Sequence, residues 1–185
     1  MRCVRGPGSG TWSWRDVAWV LADFECDVVL KSRRIEDLEA AAAEVEERGR
    51  RSLIVDGDIR DFSETLARRT IDRFGRLDVW DNNVGGSDEK ITRTILDTPD
   101  SVFRSQLELN LTSAFQGCKA AAQRMNAGGV IVNVSYGAGT RGSPFTGPYA
   151  AATAGRNNLP PTLAQTLAPA RPGTKGPPGT GVHPA

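Results

Sequence analysis

Residues 131–155, IVNVSYGAGTRGSPFTGPYAAATAG, read as an apolar β-branched strand, a Gly-rich loop and a helix carrying Tyr149. Working outward from this unit, strand-like and helix-like segments alternate from the first residues to about Leu167. That βαβα rhythm is the signature of a parallel sheet with helices on both faces. Met1–Arg5 is a very short first strand, followed by the turn Gly6-Pro7-Gly8-Ser9-Gly10 and a helix to about Asp23. Cys26–Leu30 and Arg51–Val55 read as the second and third strands, and Leu77–Trp80 enters a fourth that ends at Asp81-Asn82-Asn83. Gly129–Val134 is the fifth, apolar at nearly every position and therefore expected to be fully buried. Between the strands, Ile35–Arg48 sets Leu38, Ala41, Ala42 and Val45 at helical spacing with acids opposite. Phe62–Phe74 turns Leu66, Ile71 and Phe74 toward the core, and Ser101–Met125 reads as one long helix.

The chain has 185 residues, 39% of them apolar, and a net charge of +1, which fits one globular domain with a real core. Its basic residues are scattered among acidic ones, so charge gives no reason to expect nucleic acid or a membrane surface as a partner. Small molecules are the better default. Cys3, Cys26 and Cys118 are far apart with no C-x-x-C, which points to buried thiols in a reducing compartment and to no metal site. With no run of 18 apolar residues and no apolar core in MRCVRGPGSG, a cytoplasmic location is expected. Residues 160–185 hold seven of the eleven prolines and four glycines, so no strand is expected there, and residues 168–185 read as a disordered tail. Two readings stand for that region: a tail after a complete smaller domain, or a shortened product whose fifth strand lacks a neighbour.

Several short stretches carry chemistry. A Gly-rich turn between a first strand and a first helix lets the backbone approach a pyrophosphate, and Gly6, Gly8 and Gly10 stand there, as they would in a plain flexible terminus. Trp12 and Trp14 follow closely, putting an indole where close approach is needed. Lys31-Ser32-Arg33-Arg34 follows the second strand, where dinucleotide folds distinguish a ribose hydroxyl from a 2′-phosphate. No acid is present, and Arg33 can grip a phosphate bidentately, so NADP(H) is expected over NAD(H). Alternatively, Arg33 and Arg34 only solvate the start of the next helix.

Together these stretches resemble the short-chain dehydrogenase/reductase family over roughly Met1 to Leu167. The resemblance is carried by the glycine turn, by Asn82-Asn83-Val84-Gly85 in place of that family's Asn-Asn-Ala-Gly, by Asn110 in Leu109-Asn110-Leu111-Thr112-Ser113, and by Tyr149. It implies an α/β Rossmann-like fold, a doubly wound parallel sheet of about five strands lacking the family's last ones, with residues 1–167 as the dinucleotide-binding domain. It assigns Gly6, Gly8, Gly10, Arg33, Asp58, Asn82, Asn83 and Gly85 to the cofactor, with Asp58 near the adenine ring. Tyr149 would be the acid/base, Asn110 would bend its helix and hold a relay water, and Ser135 would polarise the substrate oxygen. The implied reaction is NAD(P)-dependent oxidoreduction of a carbonyl or secondary alcohol, and the implied dimer interface uses helices 101–125 and 149–159.

This sequence departs from the family pattern at telling places. Thr153 stands where Tyr-x-x-x-Lys requires an ammonium, and Tyr136 stands thirteen places before Tyr149 where a serine is usual, with Ser135 one place earlier. Strand alternation would send Ser135 to the opposite face unless the chain slips by one residue. Arg156 lies three residues past Thr153 on a similar helical face, most of a turn too far along to replace the lysine directly. Asp81 puts a carboxylate at a position expected to be buried and apolar. Impaired turnover is therefore expected, with a non-catalytic remnant that binds nucleotide weakly, or pairs with an intact relative, as the alternative.

Overall fold

The structure, a computed structural model, describes residues 2–5, 14–61, 63–87 and 93–168. Five strands are present in it: β1 (Arg2–Arg5), β2 (Asp27–Ser32), β3 (Ser52–Asp56), β4 (Val79–Asn82) and β5 (Val130–Asn133). They form one wholly parallel sheet in the order β3-β2-β1-β4-β5. The helices are α1 (Trp14–Asp23), α2 (Ile35–Glu47), α3 (Ser63–Phe74), α4 (Asp100–Leu107), α5 (Ser113–Ala122), α6 (Gly147–Asn157) and α7 (Leu159–Leu167).

The two-residue period of a strand sends neighbouring side chains of β2 into two different cores. Val28 and Leu30 pack with Ala18 of α1 and with Leu38, Ala41 and Val45 of α2. Val29 packs on the other face with Leu66 and Phe74 of α3, Trp80 of β4, and Ala120 and Ala121 of α5. Leu30, Leu38, Val45 and Leu66 lose all solvent contact, each contributing about 1.5–3 kcal/mol of burial. The helical spacing of Leu38, Ala41, Ala42 and Val45 is thus the buried stripe of α2.

The long helix expected over residues 101–125 is interrupted. Residues Glu108–Thr112 form a π-helical turn between α4 and α5. The cause is local: the Asn110 side chain donates through Nδ2 to the Gln106 carbonyl oxygen at 3.0 Å, the group that an ordinary α-turn would give to a backbone amide.

The fifth strand is not fully buried. Val130 is 49% and Val132 42% exposed, because β5 pairs only with β4 among the described residues and stands at the edge of the sheet. Helix α7 is an element the prolines conceal. Pro160 and Pro161 fall in its first turn, where the missing N–H has no intrahelical partner to lose. The glycines Gly6, Gly8 and Gly10, with Trp12 and residues 169–185, lie outside the described residues.

Candidate active site

After β3 the chain returns to the far side of β1 to make β4 and β5, so the winding reverses between β1 and β4. Open parallel sheets bind ligands at the carboxyl ends of their strands beside such a reversal. A cleft of about 370 Å³ lies there, lined by Lys31, Ser32, Arg33 and Arg34 after β2, Gly57, Asp58 and Ile59 after β3, Val84 and Gly85 after β4, Leu109 from the π-turn, and Trp14 and Asp37. The Trp14 indole belongs to the α1–α2 core and forms part of the cleft wall.

The cationic end of the cleft is partly preset. Lys31 is buried and donates through Nζ to the Asp56 carbonyl oxygen at 3.3 Å. Ser32 is also buried, its Oγ accepting from the Arg34 backbone N–H at 3.2 Å, while Arg34 pairs with Asp37 at 3.1 Å. Arg33 is exposed. Asp58 accepts from Arg60 three times: from the backbone N–H at 3.0 Å, from Nε at 2.9 Å and from Nη2 at 2.8 Å. These bonds hold the Asp58 carboxyl down to about 2, with smaller help from the Arg33 charge and against the effect of burial. Asp58 is therefore an ionised carboxylate committed to Arg60 at the cleft rim.

At the opposite end, two helices grip the turn that leaves β4. Asn110 is 1% exposed; its Oδ1 accepts from the Gly86 N–H at 2.8 Å and its Nδ2 donates to the Gly86 carbonyl at 3.3 Å. From α6, Arg156 is 3% exposed and donates through Nη1 to the Val84 carbonyl at 2.7 Å and through Nη2 to the Asn82 carbonyl. Gly85 sits between them: a Cβ there would lie 2.9 Å from Asn110 Oδ1 and 3.0 Å from Arg156 Nη1. Burial pulls the Arg156 guanidinium down from its ordinary value, opposed chiefly by the charge of Asp81 and then by Tyr149.

Asn82 points beneath the cleft rather than into it. Its Nδ2 donates to Asn133 Oδ1 at 2.8 Å, and its Oδ1 accepts from the Trp80 indole N–H at 2.8 Å. It therefore ties the ends of β4 and β5 together beside Cys118, whose Sγ lies 3.4 Å from the same amide nitrogen. Asn83 is half-buried and donates to Asp81 Oδ2 at 3.5 Å, and Asp81 itself is buried.

Tyr149 is half-buried near the start of α6. Thr153 is buried one turn later, and its hydroxyl donates to the Tyr149 carbonyl at 2.7 Å, an in-helix bond that satisfies it locally. Ser135 and Tyr136 are both exposed in the segment after β5, Tyr136 at 69%. So Arg33, Asp58 and Gly85 share the cleft, Asn110 and Gly85 touch, and Ser135 stays at the open edge. Gln106 and Asn133 carry no motif in the sequence, and Arg156 stands out there only as a distant stand-in for the missing lysine. A lone cation among the small residues of α6 was the available signal for Arg156, but its reach back along the helix shows only in three dimensions. No cluster of three metal-ligating side chains occurs among the described residues, and none of their helices is long and apolar enough to cross a membrane.

Comparison with known proteins agrees with this architecture. The short chain dehydrogenase family profile matches residues 15–171. The chain is 33% identical over 160 residues to (-)-trans-carveol dehydrogenase of Rhodococcus erythropolis, covering 82% of this chain and 57% of that protein. It is 33% identical over 135 residues to 3-oxoacyl-[acyl-carrier-protein] reductase of Synechocystis, covering 70% and 53%. The solved structure of carveol dehydrogenase from Mycobacterium avium in complex with NAD superposes with a TM-score of 0.80 at 27% identity, covering 90% of this chain and 65% of that one. The chain thus spans roughly half to two thirds of the length of the relatives it matches. A wholly parallel sheet reversing between β1 and β4, the asparagine-bearing turn after β4 and a tyrosine-bearing α6 all meet in one lineage, and the chain belongs to the short-chain dehydrogenase family.

Proposed function

We propose that this chain is the cofactor-binding portion of an NAD(P)-dependent oxidoreductase acting on a carbonyl or secondary alcohol, with NADP(H) preferred over NAD(H) and with reduced turnover. The observation that carries the reading is the cleft end after β2, where Lys31, Ser32 and Arg33 stand with no carboxylate between them. A volume of about 370 Å³ suits a ligand of cofactor size, within the usual range of roughly 300–1,000 Å³. Gly85, with no room for a side chain, keeps the opposite wall low. In this reading Arg33 holds the 2′-phosphate, Lys31 adds positive potential beneath it, and Trp14 closes one side. A nicotinamide held there would supply or accept the hydride. Tyr149 moves the hydroxyl proton, Asn110 holds the turn beside it, and Ser135 contributes only if the segment after β5 shifts inward. Similarity to a carveol dehydrogenase supports a small-molecule substrate. Exposed Phe103 on α4 and Phe115 on α5 support pairing of two copies through these helices.

Titration calorimetry with NADPH and NADH tests this. The expected result is saturable binding, at least about tenfold tighter for NADPH, reversed by Arg33→Asp. No binding, or no effect of Arg33→Asp, would overturn it. A second reading, a non-catalytic relative that binds nucleotide without turnover, is favoured by Thr153, which is uncharged and bonded within its own helix. Demonstrated NADPH binding with no detectable reduction of any aldehyde or ketone panel member would support it.

A further inference from the structure

We propose that Arg156 is a positioning residue: from the helix that carries Tyr149 it holds the turn after β4 and, through Val84 and Gly85, shapes the cleft wall farthest from Arg33. This rests on the cofactor reading above, in which that far end receives the nicotinamide half of the dinucleotide.

The argument starts from where the guanidinium sits. An arginine on the buried face of a helix is costly unless its donors find acceptors. Arg156 gives Nη1 to the Val84 carbonyl and Nη2 to the Asn82 carbonyl. The Val84 carbonyl lies two residues past the end of β4, while the Asn82 carbonyl, at the last position of β4, also accepts from the Val134 N–H at 3.1 Å, so Arg156 ties the strand end to the turn that follows it. An apolar residue at 156 could fill the same volume, but it could not bond the end of β4 and the turn after it at once.

The grip is also directional. Asn110 holds the next residue, Gly86, from the π-turn, so the turn is pinned from α6 on one side and from the α4–α5 helix on the other. Gly85 lies between the two side chains with space for hydrogen alone, and Val84 and Gly85 line the cleft. Tyr149 and Arg156 are seven residues apart, two helical turns, and so share a face of α6. One rigid helix therefore carries both the phenol and the clamp on the wall. Arg33, Lys31 and Asp58 belong to other elements, after β2 and β3. Loss of the clamp should disturb only the far end.

The test compares two ligands that share the adenosine end. NADPH and 2′,5′-ADP are titrated calorimetrically into the wild-type chain and into Arg156→Leu, Arg156→Lys and Gly85→Ala. Arg156→Leu is expected to weaken NADPH by about tenfold or more while leaving 2′,5′-ADP within about twofold. Arg156→Lys, which keeps one charge but cannot bridge two carbonyls, is expected to recover part of the loss. Gly85→Ala crowds the same wall with Arg156 intact and is expected to reproduce the selective loss, so the test survives if Arg156→Leu does not fold. Equal weakening of both ligands would reduce Arg156 to fold support and overturn the proposal, as would no weakening of either. Wild-type binding of neither ligand would overturn the cofactor reading, and this proposal with it.

Discussion

The Arg156 Nη1 donates to the Val84 carbonyl oxygen at 2.7 Å, joining positions 72 residues apart in the chain. This bond fastens the helix that begins just before Tyr149 to the turn after β4, whose Val84 and Gly85 line the cleft. The same region of the sheet contains further contacts tight enough to give clear experimental consequences.

Gly117 on α5 faces Asn82 so closely that a Cβ would come within 2.2 Å of Asn82 Oδ1 and 2.9 Å of the Trp80 indole nitrogen. In an open helix, Gly→Ala would gain about 1 kcal/mol of propensity. Here overpacking against an amide already bonded to Asn133 costs roughly 1–3 kcal/mol and wins. Gly117→Ala is expected to lower the melting temperature, whereas Gly142→Ala, with nothing within 4 Å, should stay within about 0.5 kcal/mol of wild type. A Gly117→Ala protein that melts at or above wild type would refute the close approach.

Asp58 titrates at about 2 against an ordinary 3.8 because Arg60 bonds its ionised form. A depressed carboxyl stabilises the fold above the unfolded value and loses that contribution as pH falls through the folded one. Asp58→Asn is therefore expected to lower the melting temperature by about 1–4 °C at neutral pH, with the gap to wild type closing between about pH 4 and pH 2. A gap that does not change over that interval would show that the Arg60 pairing carries no weight.

Burial pushes the thiols of Cys26 and Cys118 above their ordinary value, and both are almost without solvent contact. Thiolate is the reactive form, so both should resist an aromatic disulfide reagent at neutral pH and label only after denaturation. Peptide mapping of labelled native protein checks this. Modification of Cys118 without loss of structure would contradict the buried Asn82–Asn133–Cys118 cluster.

Thr153→Lys together with Tyr136→Ser is expected to raise carbonyl reduction by NADPH by about 10² or more, the usual worth of acid/base help. The lysine has to run back along α6 toward Tyr149, because Gly139 abuts Thr153: a Cβ at Gly139 would lie 2.9 Å from Thr153 Cγ2. Initial rates at saturating NADPH decide it. An unchanged rate in a variant that demonstrably binds NADPH would overturn the assignment of Tyr149.

Much of the fold is written in local pattern. The stripe Leu38, Ala41, Ala42, Val45 and the run Cys26–Leu30 have one solution each, a one-faced helix and a strand, and the buried residues follow it. Helix α7 was hidden because Pro160 and Pro161 read as breakers, although a first turn tolerates them. The burial of β5 was overstated because apolar content records what a strand can bury, while its neighbours decide what is covered.

At the site the division is similar. Asn82, Gly85, Asn110 and Tyr149 stand out in the sequence through the resemblance of the motifs around them to those of the family. Where their hydrogen bonds go does not, since Asn82 turns to Asn133 and Asn110 to Gly86, partners 51 and 24 residues away. By itself the sequence determined the alternating order of elements, the absence of an acid after β2 and the uncharged residue at 153, since composition at a position needs no partner to be read. Only the tertiary structure decided that Asp58 is committed to Arg60, that β5 lies open at the sheet edge, and that Arg156 holds the turn after β4. Hydrogen bonds and burial depend on distances between chain segments, and those distances exist only once the chain is folded.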